Sequence, residues 1–242
     1  MMESVGIIGF GRFGRVLANI LSDDYRVRAV DPNPQNDVFG VDLVDWNTIL
    51  KEQTIFVAVP IHSFKDVIRR LSSDLTQEVT IIDVCSVKVY PVTVMKEHLS
   101  DRLGIIATHP LFGPDSINSP GELKIMMHNT RDIYNQYARW KEYFQSKAIQ
   151  VVEMSPEQHD RTAAKTQGIT HFIGRVLRDA GINSTEIDTL GFHDLVQVID
   201  QTCNDSWELF MDLQNYNPYT LSVIQQLETS INVIRGKILK GA

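Results

Sequence analysis

Three glycines at fixed offsets, Gly9-Phe10-Gly11-Arg12-Phe13-Gly14, sit between a β-branched run, Val5-Gly6-Ile7-Ile8, and a helical pattern from Arg12 to Leu21. Each glycine meets a different steric need. Gly9 permits a tight turn, Gly11 lets the backbone approach a ligand closely, and Gly14 lets the helix sit close on the strand. A strand turning straight into a helix aims the first helical amides and the positive dipole end at the turn, where a pyrophosphate is well held. The next strand, Val27-Arg28-Ala29-Val30, ends in Asp31, twenty residues beyond Gly11. A carboxylate there accepts hydrogen bonds from both ribose hydroxyls and repels a 2′-phosphate, so the spacing predicts a dinucleotide site that takes NAD in preference to NADP. Gly9, Phe10, Gly11, Arg12, Phe13, Gly14 and Asp31 are its candidate residues. Val59 and Pro60, ending a third strand beside the same crevice, are further candidates.

Up to Val152 the chain alternates strand-like runs with helical patterns: Ser4–Ile8, Arg26–Val30, Thr54–Val59, Val79–Val84, Gly104–Ala107, Lys124–Met127 and Ile149–Val152. Strands separated by helices need crossovers, which predicts a Rossmann-type α/β domain with a mainly parallel sheet over residues 1–152. Beyond it the pattern is wholly helical, which predicts an all-helical C-terminal domain over 153–242. Helices are expected over Pro156 to Asp179, Leu190 to Cys203, Asp205 to Leu213 and Tyr219 to Leu239, with breaks at Gly181–Ser184 and Asn215–Pro218. The last carries Leu221, Ile224, Leu227, Ile231, Ile234 and Ile238 at three- and four-residue steps. That stripe is expected to pack on a second subunit and make a homodimer.

Charge excludes several partners. With 23 basic and 30 acidic side chains, a net charge of −7 and no basic run, neither nucleic acid nor an anionic membrane is an expected partner. Cys85 and Cys203 lie far apart, with neither disulfide-framework nor metal-ligand spacing, so reduced thiols, no metal and a cytoplasmic location are expected. No run approaches the apolar length of a spanning helix.

Two further blocks exceed what cofactor binding needs: Asp83-Val84-Cys85-Ser86-Val87-Lys88 and Thr108-His109-Pro110-Leu111-Phe112-Gly113-Pro114, each at the end of an apolar strand. Carboxyl ends of such strands line the ligand crevice. An imidazole has an intrinsic pKa near neutrality, so the residue type of His109 suits a general acid or base, and Pro110 fixes the chain beside it. Ser86 adds a hydroxyl and Lys88 an ammonium.

With these motifs, and with His159 to Leu177 as a fourth block, the chain resembles the prephenate/arogenate dehydrogenases over essentially its whole length, most closely the plant-type arogenate branch. The resemblance implies an NAD-dependent oxidation coupled to decarboxylation of a cyclohexadienol in tyrosine biosynthesis. It implies that His109 takes the proton of the ring 4-hydroxyl and that Ser86 orients that hydroxyl. It further implies that His171 lines the substrate pocket. Gln167, His171 and Arg175 fall at four-residue steps on one helical stripe, and with Lys88 they are the candidate substrate contacts.

Gly168 and Gly174 inside that helix each cost about 1 kcal/mol relative to alanine, so something must pack very close to them. The cofactor domain or the substrate is the expected neighbour, a tight helix–helix contact the alternative. Many bacterial members carry a carboxylate-clamping arginine where Gln197 stands here. Lys88, Arg161, Lys165 and Arg175 are the candidate replacements. Competing readings are a β-hydroxyacid-type dehydrogenase, for which Lys165 would be the catalytic lysine, and a non-catalytic NAD-binding sensor.

Overall fold

Strands β1 (Ser4–Ile8) and β2 (Arg26–Val30) flank helix α1 (Arg12–Leu21), followed by β3 (Val41–Leu43), α2 (Trp46–Ile49), β4 (Thr54–Val57), α3 (Ile61–Asp74) and β5 (Thr80–Asp83). The chain continues through α4 (Val89–His98), β6 (Gly104–Pro110), β7 (Leu123–Arg131), α5 (Gln136–Ser146) and β8 (Ile149–Glu153). The structure is a computed structural model describing residues 2–33, 40–114, 117 and 121–241. Asp115 and Ser116, which extend the His109 motif, lie outside the described residues. The chain divides into two compact units, Met1–Pro156 and Glu157–Ala242.

In the first unit the strands form one sheet in the order β3-β2-β1-β4-β5-β6-β7-β8, parallel throughout except for the antiparallel β6–β7 pair. Strand order reverses between β1 and β4, and such a reversal opens a crevice at the strands' carboxyl ends. β4, β5 and β6 are buried at every position, as expected where both faces of a parallel sheet are covered. One face packs Val5, Ile7, Val27, Phe56, Ile82 and Ile106 with Leu17, Ala18 and Leu21 of α1 and Trp140 and Phe144 of α5.

Two differences from the sequence reading are physical. β3 was not expected, because Val41-Asp42-Leu43 is three residues long and pairs on one side only, with β2. β6 runs past Ala107 to Pro110, so His109 lies in a strand rather than a loop. The antiparallel partner β7 holds it there, with His109 opposite Met126 and Pro110 opposite Ile125.

The second unit contains α6 (Pro156–Ala163), α7 (Ile169–Asp179), α8 (Leu190–Cys203), α9 (Trp207–Asn215) and α10 (Thr220–Leu239). A π-helical turn, Ala164–Gly168, joins α6 to α7. Such a turn disturbs the carbonyl ladder. Gln214 Nε2, from α9, donates to the Gly168 carbonyl at 3.2 Å. The neighbour of Gly174 is α8: a Cβ there would lie 1.9 Å from Thr202 Oγ1 and 3.3 Å from the Val198 carbonyl. The expected neighbour, cofactor domain or substrate, is thereby replaced at this glycine by a helix–helix contact. Asn217 Nδ2 donates to the Asp160 carbonyl at 2.9 Å, tying the start of α10 to α6. No helix among the described residues is long and apolar enough to cross a membrane.

Candidate active site

At the switch point, Gly9 has φ +94°, a region that side chains rarely adopt, and a Cβ there would lie 2.5 Å from the Ala58 carbonyl oxygen. A Cβ on Gly14 would lie 2.2 Å from the Gly9 carbonyl oxygen, whereas one on Gly11 would meet nothing within 4 Å. Two of the glycines are therefore demanded by the protein, and the third faces open space. Gly11 is the N-cap of α1 and brings no side chain to the helix end. A helix N-terminus behind an open glycine fits a pyrophosphate.

Asp31, directly after β2, braces the turn: its carboxylate accepts from the Phe10 amide at 2.7 Å and the Asn33 amide at 2.8 Å. Phe10 is buried in the core, Arg12 is exposed, and Val59 is half-buried, with Cγ1 3.0 Å from a Cβ on Gly9. Pro60 caps α3 and is exposed. The ring of Phe13 lies 6.4 Å from that of Phe112, bringing the fingerprint beside the His109 segment.

The second cluster lies on the carboxyl ends of β5 and β6, paired through Asp83 and Ala107. Ser86 is half-buried three residues beyond β5, and His109 is 3% exposed near the end of β6. Lys88 departs from its expected role. It is sealed from solvent, as is Asp83, and its ammonium donates to Asp83 Oδ1 and to the Thr108 carbonyl. To reach a substrate it would have to leave those two bonds and its buried place. Burial pushes the Asp83 carboxyl upward, opposed by the charge and hydrogen bond of Lys88 and by the Cys85 amide. Removing one member of such a pair leaves a buried uncompensated charge and costs about 3–5 kcal/mol.

The second unit has its own polar cluster. His171 Nδ1 lies 3.9 Å from Asp205 Oδ2, with side-chain exposures of 13% and 23%. Arg175 donates through Nη2 to the Asp205 carbonyl and lies over the rings of Trp207, at 5.3 Å, and Phe210, at 5.5 Å. Burial lowers the pKa of His171, Asp205 opposes the shift, and the Arg175 charge adds to it. His171 Nδ1 and Arg175 Nε are buried with no hydrogen-bond partner. Gln167 stands apart from this description: it is half-buried within the π-helical turn. Of the other cations, Arg161 lies 4.4 Å over the Tyr219 ring and Lys165 is exposed. Gln197 is exposed beside His193.

The bonds that Asp83, Thr108 and Asp205 make escaped the sequence reading, which named these residues only as parts of motifs or of a helix. An acid ending an apolar strand five residues before a lysine signals the first pair. Asp205 was read as the first residue of a helix, but α9 starts at Trp207 behind Ser206, whose hydroxyl accepts from the Leu209 amide. Among the described residues no cluster able to hold a metal occurs.

Residues 26–120 match the family described as prephenate dehydrogenase, nucleotide-binding domain, and residues 176–242 match TYRAAT1-like, C-terminal domain. Arogenate dehydrogenase 2, chloroplastic, of Arabidopsis thaliana is 30% identical over 248 residues, covering 97% of this chain and 69% of that protein. Arogenate dehydrogenase 1, chloroplastic, of the same plant is 27% identical, over 97% of this chain and 39% of that longer protein. Prephenate dehydrogenase from A. aeolicus, solved with hydroxyphenyl propionate and NAD+, shares the fold with a TM-score of 0.79 at 20% identity, over 100% of this chain and 92% of that one. This chain belongs to the prephenate/arogenate dehydrogenase family.

Proposed function

We propose that this chain catalyses the NAD-dependent oxidative decarboxylation of arogenate, yielding the aromatic ring of tyrosine and carbon dioxide. The observation that carries the reading is the meeting of the glycine turn, the Ser86 segment and His109 at the carboxyl ends of β1, β5 and β6 in one sheet. NAD+, when bound, supplies the hydride acceptor for the ring carbon that bears the 4-hydroxyl. Ser86 orients the 4-hydroxyl by hydrogen bonding. His109 accepts the proton of that hydroxyl as the carbonyl character of the carbon grows, and the ring carboxylate then leaves as carbon dioxide, with its electron pair completing the aromatic ring. Asp31 binds the ribose hydroxyls and excludes a 2′-phosphate.

The choice of arogenate over prephenate rests on the second unit. An α-amino acid group presents one ammonium and one carboxylate, whereas a keto acid presents only the carboxylate. Asp205 and Arg175, side by side with His171, offer one charge of each sign. Purified protein is therefore expected to reduce NAD+ with arogenate in preference to prephenate, followed by the absorbance of the reduced nicotinamide. Asp205→Asn is expected to lower kcat/KM for arogenate about 10- to 100-fold, the range for a partly buried charge pair, and to spare prephenate. Equal loss on both substrates would remove Asp205 from the selectivity, and no reduction by the wild-type protein with either would remove the activity itself.

Assembly as a homodimer is part of the same reading. Leu221, Ile231, Ile234 and Ile238 of α10 are all more than half exposed in the single chain, an apolar row that a second copy would cover. Sedimentation equilibrium is expected to give a dimer, and Ile234→Glu a monomer. A wild-type monomer at assay concentrations would contradict this assembly. Cys85 and Cys203, which are not joined in a disulfide, support a reducing compartment, the cytoplasm, as its place of work.

A further inference from the structure

The segment carrying Ser86 and the strand carrying His109 are tied together by one buried ion pair. Lys88 Nζ donates to Asp83 Oδ1, at the end of β5, and to the carbonyl of Thr108, the residue before His109. Thr108 Oγ1 returns a bond to the Asp83 carbonyl at 2.7 Å, and the Cys85 amide donates to Asp83 Oδ1 at 3.0 Å. Lys88 and Asp83 are both fully sealed from solvent. Asp83 Oδ2 is buried with no hydrogen-bond partner, so the carboxylate is held through its other oxygen. An ammonium that reached out to substrate would have to break two bonds and abandon a buried carboxylate, which is costly.

We infer that Lys88 is a positioning residue: acting through Asp83 and the Thr108 carbonyl, it sets where the Ser86 hydroxyl and the His109 imidazole stand, and it never touches substrate. The inference rests on the catalytic roles proposed above for those two side chains. It places the effect of Lys88 on turnover and not on affinity, because misplacing catalytic groups by about 1 Å costs about 100-fold in rate while binding contacts persist.

The test uses the double variant Lys88→Met/Asp83→Asn, which removes both charges at once and so leaves no unpaired one. It is expected to bind NAD+ and to show a KM for arogenate within about 3-fold of wild type, with kcat lowered about 100-fold. The histidine 15N resonances of His109, identified with His109→Asn, are expected to move while those of His159 and His171 stay in place. A KM raised about 10-fold or more with kcat retained would make Lys88 a substrate ligand and overturn the proposal. Retained kcat with unmoved His109 resonances would overturn it as well. Should the wild-type protein turn over neither substrate, the catalytic reading fails by that control alone. The His109 resonances then decide the positioning claim. If the double variant does not fold, Thr108→Val, which cuts a single tie and keeps both charges, is expected to lower kcat about 3- to 10-fold at unchanged KM. An unchanged kcat there would also overturn it.

Discussion

His109→Asn is expected to lower kcat/KM by about 1,000-fold while the protein still folds and binds NAD+, because positioned proton transfer contributes about 100- to 10,000-fold. Asparagine keeps a polar group in the space near the end of β6 but has no basic nitrogen to take the hydroxyl proton. The strand itself is held by backbone pairing with β7, His109 opposite Met126, which the substitution leaves in place. Steady-state kinetics, an NAD+ titration and far-ultraviolet circular dichroism on the same preparation separate the effects. A loss of less than about 10-fold would mean that another group takes the proton.

Gly14→Ala is expected to weaken NAD+ binding at least about 100-fold and to cost about 1–3 kcal/mol of stability, since overpacking a tight site forces backbone shifts. The added carbon would lie 2.2 Å from the Gly9 carbonyl oxygen and 3.1 Å from its carbon, both backbone atoms that cannot swing aside. Helix α1 must move off the turn, and its amides with it. Gly11→Ala makes the informative contrast. Its added carbon meets nothing within 4 Å, so the denaturation midpoint should stay put while the cofactor loses its approach. Reduced-cofactor fluorescence titrations and urea melts on both variants check this. Wild-type affinity in Gly14→Ala would show that the helix can be seated another way.

The sheet was legible because β1, β4 and β5 are β-branched runs bounded by turns, which burial on both faces makes continuous, and because β2 alternates buried with more exposed positions. The glycine turn was legible because its steric demands are local. What stayed hidden depends on neighbours remote in sequence. His109 belongs to a strand only because Met126 pairs with it. Lys88 reads as a free ammonium until Asp83 and Thr108 are seen to enclose it. Gly174 announces a close neighbour without saying that the neighbour is Thr202. Asp205 looked helical because acids favour first turns, and it was the capping hydroxyl of Ser206 that set the true start of α9.

The π-helical turn Ala164–Gly168 amounts to one residue more than a regular helix would hold. Each α-helical residue advances the face by about 100°. Deleting one residue from the turn would therefore leave a regular helix with His171 and Arg175 still beside Asp205, whereas deleting one from α7 ahead of His171 would swing both about a quarter-circle around the helix. Helix length and helix phase are thus separate inheritances in this chain: a relative that lacked the extra residue would carry the histidine at position 171 one place nearer to His159 and still keep the same neighbours.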